Sequence, residues 1–140
     1  MTYALSLPLQ EAVYELLSND TELSALVGGI YDAAPQQVSD AAVDGLYVTI
    51  GDEIAEDWRT ATDAGALHTL VISIHAPRRG FADAKEAAGV ISDLLVGSQP
   101  AMTRGRIVQI RFIDARTARA ENDALRRVDM RFRVTLEDTQ

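Results

Sequence analysis

The stretch HTLVISIHAPRRGFADAKEAAGVISDLLVGS, residues 68–98, carries two different periods on either side of Pro77. Up to Ala76 the residues alternate, with Leu70, Ile72 and Ile74 on one face and Thr69, Val71, Ser73 and His75 on the other. That is the period-two pattern of a strand with one face buried. Beyond the proline, Phe81, Ala84, Ala88, Ile91, Leu94 and Leu95 recur at helical spacing as far as Gly97. Two histidines and two arginines, His68, His75, Arg78 and Arg79, sit along this strand or at its joint with the helix. The joint is therefore either a reactive site or plain scaffold.

Working outward, residues 106–116 place Val108, Ile110 and Phe112 on one face. Residues 125–136 alternate Val128, Met130, Phe132, Val134 and Leu136 with Arg127, Asp129, Arg131, Arg133 and Thr135. These read as two long strands forming a hairpin, with a charged connection holding an Asn-Asp pair suited to a turn and projecting as an arm. Upstream, LYVTI at 46–50 is a strand, and the polar segment 51–66 is a long hairpin arm or a flexible loop. Leu5, Leu9, Val13, Leu16 and Leu17 mark a first helix, with Ser6 available as its cap and Pro8 tolerated in the first turn. Asn19 and Asp20 offer a cap to a second short helix that Gly28-Gly29 closes, and residues 31–45 form a loop. The order α-α-β-β-α-β-β predicts an α+β fold: a four-stranded, mostly antiparallel sheet with helices packed on one face. A length of 140 residues, 47% of them hydrophobic and 24% charged, fits a single domain over 1–140.

The formal net charge of -8 argues against a protein that grips nucleic acid through its overall field. The charge is unevenly placed. Lys85 is the one lysine, every arginine except Arg59 lies at or beyond position 78, and the segment from Asp32 to Asp63 is largely acidic. Two surfaces of opposite sign follow, able to stack copies head-to-tail or dock on complementary partners. With no cysteine there is no disulfide and no thiolate metal site. No run approaches the roughly 18 apolar residues of a membrane span, and the amino terminus lacks a signal peptide pattern, so the expected location is the cytoplasm.

A catalytic or metal site is not expected. His68 and His75 are seven residues apart on one strand and point to opposite faces, so they cannot share a metal or a proton relay. No phosphate-binding glycine loop, nucleophile elbow or zinc-binding helix motif is present, and PRRGF supplies one glycine before a helix. The acidic run GDEIAEDW, with Asp52, Glu53, Glu56 and Asp57, matches no calcium loop and reads as solvated surface. Trp58 beside Arg59 are residue types that anchor protein interfaces. Arg111, Arg127, Arg131 and Arg133 form a stripe on the polar faces of neighbouring strands, where like charges repel unless an acidic surface covers them. The alternative of a small hydrolase or ligand-binding domain would use His75, Arg78 and the helix start near Gly80, without the convergent polar groups such a site needs.

Taken in order, LPLQEAVYELLSNDTELSALVGGIYDAAP, then YVTIG with Trp58 downstream, then the strand with GFADAK, and the closing arginine-rich IVQIRFIDARTARAENDALRRVDMRFRVTLED, resemble the tail-completion or tail-terminator family of long-tailed phages. The likeness is greatest to the versions carried by alphaproteobacterial gene transfer agents and related prophages. It implies a structural virion protein, not an enzyme, with no cofactor. It also implies a homo-oligomeric ring, typically hexameric, at the head-proximal end of the tail tube. There it would stop polymerisation of the major tail tube protein and present a face to the head-side stopper or connector protein, assembling in the bacterial host cytoplasm. DNA would pass through the lumen without sequence-specific binding. The runner-up is the head-completion stopper or another neck-ring component. The expected subunit and partner contacts are Asp57, Trp58 and Arg59 on the first arm, Arg116 and Arg119 on the second, and Arg131 and Arg133 on the sheet face. Arg78 and Arg79 are exposed partner contacts at most.

Overall fold

The computed structural model describes residues 3–32, 45–59, 64–76, 81–119 and 126–138. The described residues form the helices α1 (Ser6–Ser18), α2 (Thr21–Leu26) and α3 (Phe81–Gly97) and a sheet built from β1 (Ile30–Tyr31), β2 (Tyr47–Arg59), β3 (Ala64–Ala76), β4 (Arg106–Arg119) and β5 (Arg126–Glu137). The strand order is β1-β2-β3-β5-β4. The β2–β3, β3–β5 and β4–β5 pairs are antiparallel, and β1 joins β2 in parallel.

The expected four-stranded sheet is therefore a five-stranded mixed one. The additional strand is two residues long, Ile30↔Val48 and Tyr31↔Thr49, too short to leave any periodicity in the sequence. It forms because Gly28 N–H donates to the Leu46 carbonyl at 2.7 Å and Val48 N–H donates to the Gly29 carbonyl at 3.0 Å. Gly28 and Gly29 thus serve the sheet edge and do not supply the left-handed helix cap expected of them. Among the described residues the positive-φ glycine is Gly105, at 73°, where an added Cβ would meet the Glu137 carbonyl oxygen at 2.7 Å.

Strand β2 extends well past Ile50, through the segment read as an arm or a loop. Its register shifts between Ile50 and Glu53, so Ile50 pairs with Ile72 but Glu53 pairs with Leu70. A bulge of this kind changes which parity faces the core, from even positions before it to odd positions after it. Alternation read across 46–59 consequently cancels. β4 has the same feature twice, between Ile107 and Gln109 and between Phe112 and Asp114. Ile107 and Ile110 are buried there, while Val108 is only partly so.

The helices cover one face: α3 packs on β3, β4 and β5, and α1 on β1 and β2. Leu9, Val13 and Leu17 of α1 and Ala84, Ile91 and Leu95 of α3 meet Ile72, Ile74, Met130 and Phe132 in one core. Asp20 caps α2 as expected, accepting from Leu23 N–H at 2.9 Å. α1 has no side-chain cap; Ser6, expected in that role, turns its hydroxyl to the Glu53 carboxylate instead.

Glu53 is the centre of a polar cluster on the helix-covered face. It accepts from Tyr3 Oη at 2.5 Å and from the Ser6 hydroxyl, and it shares a 2.9 Å contact with Nδ1 of the fully buried His68. Burial alone would raise the Glu53 carboxyl, but the hydrogen bonds from Ser6, Tyr3 and His68, together with the His68 charge, outweigh it and hold the group below the ordinary glutamate range.

Two outcomes are expected. Phe132→Ala removes a fully buried ring from the central strand and should cost about 3–5 kcal/mol, read as a lower urea midpoint with unchanged slope. A lowered folded value means that Glu53 contributes stability above the ordinary glutamate value of about 4.3 and loses it as pH falls through the folded value. Glu53→Gln should be less stable than wild type by about 1–3 kcal/mol at pH 7, and the gap should close below about pH 4. Parallel stability curves for the two proteins from pH 7 to 3 would refute this role.

Candidate assembly surface

Among the described residues no helix packs on the second face of the sheet. The registers stack its side chains in rows across the strands: Tyr47, His75, Arg127 and Ala118; then Thr49, Ser73, Asp129 and Arg116; then Val71, Arg131 and Asp114; then Ile54, Thr69, Arg133 and Arg111. Thr49, Thr69 and Ser73 are buried at its floor beneath longer neighbours.

Three of the arginines here, Arg106, Arg127 and Arg131, meet a carboxylate of the same chain. Arg131 grips Asp114 with both ends of its fork, at 2.8 and 2.5 Å. Arg127 lies 2.9 Å from Asp129, which also accepts from Ser73 Oγ at 2.6 Å. At the end of the sheet Arg106 meets Glu137 at 3.0 Å. The Arg131 hydrogen bonds hold the Asp114 carboxyl below its usual range, and the same contact raises the Arg131 guanidinium. Part of the acidic cover expected over the stripe thus comes from Asp114 and Asp129 of the same chain. Asp129, two residues from both Arg127 and Arg131, was legible as their same-face neighbour; Asp114 was not, because cross-strand register cannot be read from one strand.

A shallow cavity of about 290 Å³ lies in this face, lined by Val71, Asp114, Arg116, Asp129 and Arg131. Its mixed charges suit a polar protein surface better than a small apolar ligand. Nearby, the His75 ring stacks on Tyr47 with centroids 4.5 Å apart and shares a 2.9 Å hydrogen bond with Thr49 Oγ1. Burial, and then the Arg127 charge, lower the His75 imidazole against the opposing pull of Asp129. His68 and His75 do face opposite sides of the sheet. Among the described residues no group of three histidines or carboxylates is placed to hold a metal ion.

The other expected contact residues are dispersed. Asp57 is exposed on β2, opposite Ala66, and Trp58 and Arg59 complete the strand opposite Gly65 and Ala64. Arg119 lies near the other end, paired with Arg126, and both guanidinium groups stand 5.7 Å from the Phe81 ring at the start of α3. From Ala66 to Ala76 along β3 the two ends are separated by about 33 Å, at about 3.3 Å per residue. The β4–β5 hairpin does not extend as a free arm over its described length, since β3 pairs with β5 as far as Ala76↔Arg126. Arg78 and Arg79 lie outside the described residues, as do the side chains of Trp58 and Arg59. The structure thus gathers Arg116, Arg131 and Arg133 on one open face and places Asp57 and Arg119 toward opposite ends.

A family model and a solved virion structure both match this chain. The profile described as tail completion protein gp17 matches residues 11–137. A chain from a solved structure titled as the virion of a native gene transfer agent particle is 43% identical, with a TM-score of 0.86, over 97% of this chain and 99% of that one. No curated protein shows a significant match. A profile match across nearly the whole chain, joined to an extensive match with a virion component, shows that the chain belongs to the tail completion protein gp17 family, structural proteins of the virion and not enzymes.

Proposed function

We propose that this chain is a single tail-terminator domain that closes the head-proximal end of a tail tube as a ring of six copies. In this reading the ring stops polymerisation of the major tail tube protein and presents its other side to the head-side stopper or connector. The subunits fold in the host cytoplasm before joining the particle. DNA passes through the lumen without being captured, a passage favoured by the net charge of -8. The observation that carries the reading is the end-to-end likeness to a chain of a gene transfer agent virion.

The distribution of surfaces supports it. A closed ring requires two different patches on each subunit, one for each neighbour. The chain offers a charged open sheet face with Arg116, Arg131 and Arg133, and separate sets near the two sheet ends, Asp57 with Trp58 and Arg59 at one and Arg119 at the other.

Electron microscopy of particles from cells lacking the gene tests the proposal, scored for tail length and head attachment. Overlong or headless tails are expected. Normal tails joined to heads would overturn it, and heads that have leaked DNA beside tails of normal length would move the protein to the head-side stopper.

A further inference from the structure

The row Ile54, Thr69, Arg133 and Arg111 differs from its neighbours. Arg111 and Arg133 are directly opposite one another on β4 and β5, an arrangement that places like charges within about 5 Å at Cβ and is unfavourable. Arg131, Arg127 and Arg106 on the same face each have a carboxylate. Among the described residues Arg111 and Arg133 have none, and the Arg133 Nε–H is buried without an acceptor. A buried charged donor left unmade costs more than a hydrogen bond gains. Two arginines opposed on neighbouring strands can together receive a carboxylate, and none of the described residues supplies one. Two strands away from Arg133 in the same row, Ile54 is a large apolar side chain that is 62% exposed.

The helix side of the molecule carries the complement. Helices α1 to α3 hold six carboxylates against Lys85, whereas the outward positions of β4 and β5 hold six arginines against three carboxylates. Between α1 and β1 runs a groove of about 370 Å³ lined by the apolar Tyr14, Ile30, Tyr31 and Ile50 and by the polar Gln10, Glu11 and Asp32. Tyr14 is 48% exposed there. An exposed isoleucine in the same row as two unanswered arginines on one face thus matches a largely apolar groove carrying Glu11 and Asp32 on the other.

We propose that the Ile54–Thr69–Arg133–Arg111 row of one copy seats on the α1–β1 groove of a second copy, with Ile54 entering the groove and Glu11 placed between Arg111 and Arg133. The contact is head-to-tail, since the two patches differ, and so it propagates around a ring. It rests on the ring reading above and names the surfaces that would make that ring.

The test complements the deletion strain with variant chains and measures the amount of each chain recovered in purified particles. Arg111→Glu with Arg133→Glu, and separately Glu11→Arg, should each lower recovery by about tenfold or more, because like charges then face each other across the joint. Placing all three substitutions in one chain should restore recovery to within about twofold of wild type, since the pair is re-formed with its signs exchanged. Ile54→Asp should lower recovery without being rescued by the charge exchange. A folding defect is separated by Arg111→Gln, which relieves repulsion within the subunit. The isolated Arg111→Gln protein should melt at or above the wild-type temperature while its recovery falls. Wild-type recovery of the doubly reversed chain, or no gain on combining the three substitutions, overturns the contact and leaves the ring standing. Normal tails in the deletion strain remove the ring and the contact together.

Discussion

Strand β5 is bonded along both edges, to β3 from Gly65↔Glu137 to Ala76↔Arg126 and to β4 from Arg106↔Glu137 to Arg119↔Arg126. With partners on both sides it has no freedom to slip: a shift of one residue would carry Val128, Met130, Phe132, Val134 and Leu136 out of the core and bring five charged or polar side chains in. The rest of the molecule is arranged around that constraint. α3 lies on the apolar face of β3, β4 and β5, and among the described residues no helix lies on the charged face.

Holding the register also decides which charges meet. Once Met130 is opposite Ala115, Arg131 is opposite Asp114, and the bidentate pair follows. The bulge between Phe112 and Asp114 is what brings that aspartate to the outward side. One row farther along, the same register sets Arg111 against Arg133. A face that neutralises some of its own arginines and leaves two opposed ones unanswered is specific in a way that a uniformly basic face is not, because an incoming carboxylate has one place where it relieves their repulsion.

The other bulge has a comparable effect on the helix side. Without the shift between Ile50 and Glu53, the glutamate would point to the open face with Thr49. With it, Glu53 lies above Leu70 and gathers Tyr3, Ser6 and His68. A residue that looks like part of an acidic surface run thereby ties the start of α1 to the second half of β2. The charged form of the carboxyl is favoured there because three donors converge on it, despite partial burial.

What the sequence by itself determined is everything that depends on uninterrupted local period. The alternation running up to Ala76 and that of 125–136, the helical stripes of α1 and α3 and the Asp20 cap are properties of neighbouring residues, so these elements, the α+β class and the opposite facing of His68 and His75 could be read directly. The family resemblance was legible for the same reason, as an ordered set of such elements. Only the tertiary structure decided the rest. β1 exists through bonds from Gly28 and Gly29 to residues nearly twenty positions away, the continuation of β2 is masked by a bulge that inverts its parity, and the partners of Arg131 and of Glu53 come from other strands and from α1. Each is a matter of register or long-range contact, and period carries no information about which strand lies beside which, or by how many residues they are offset.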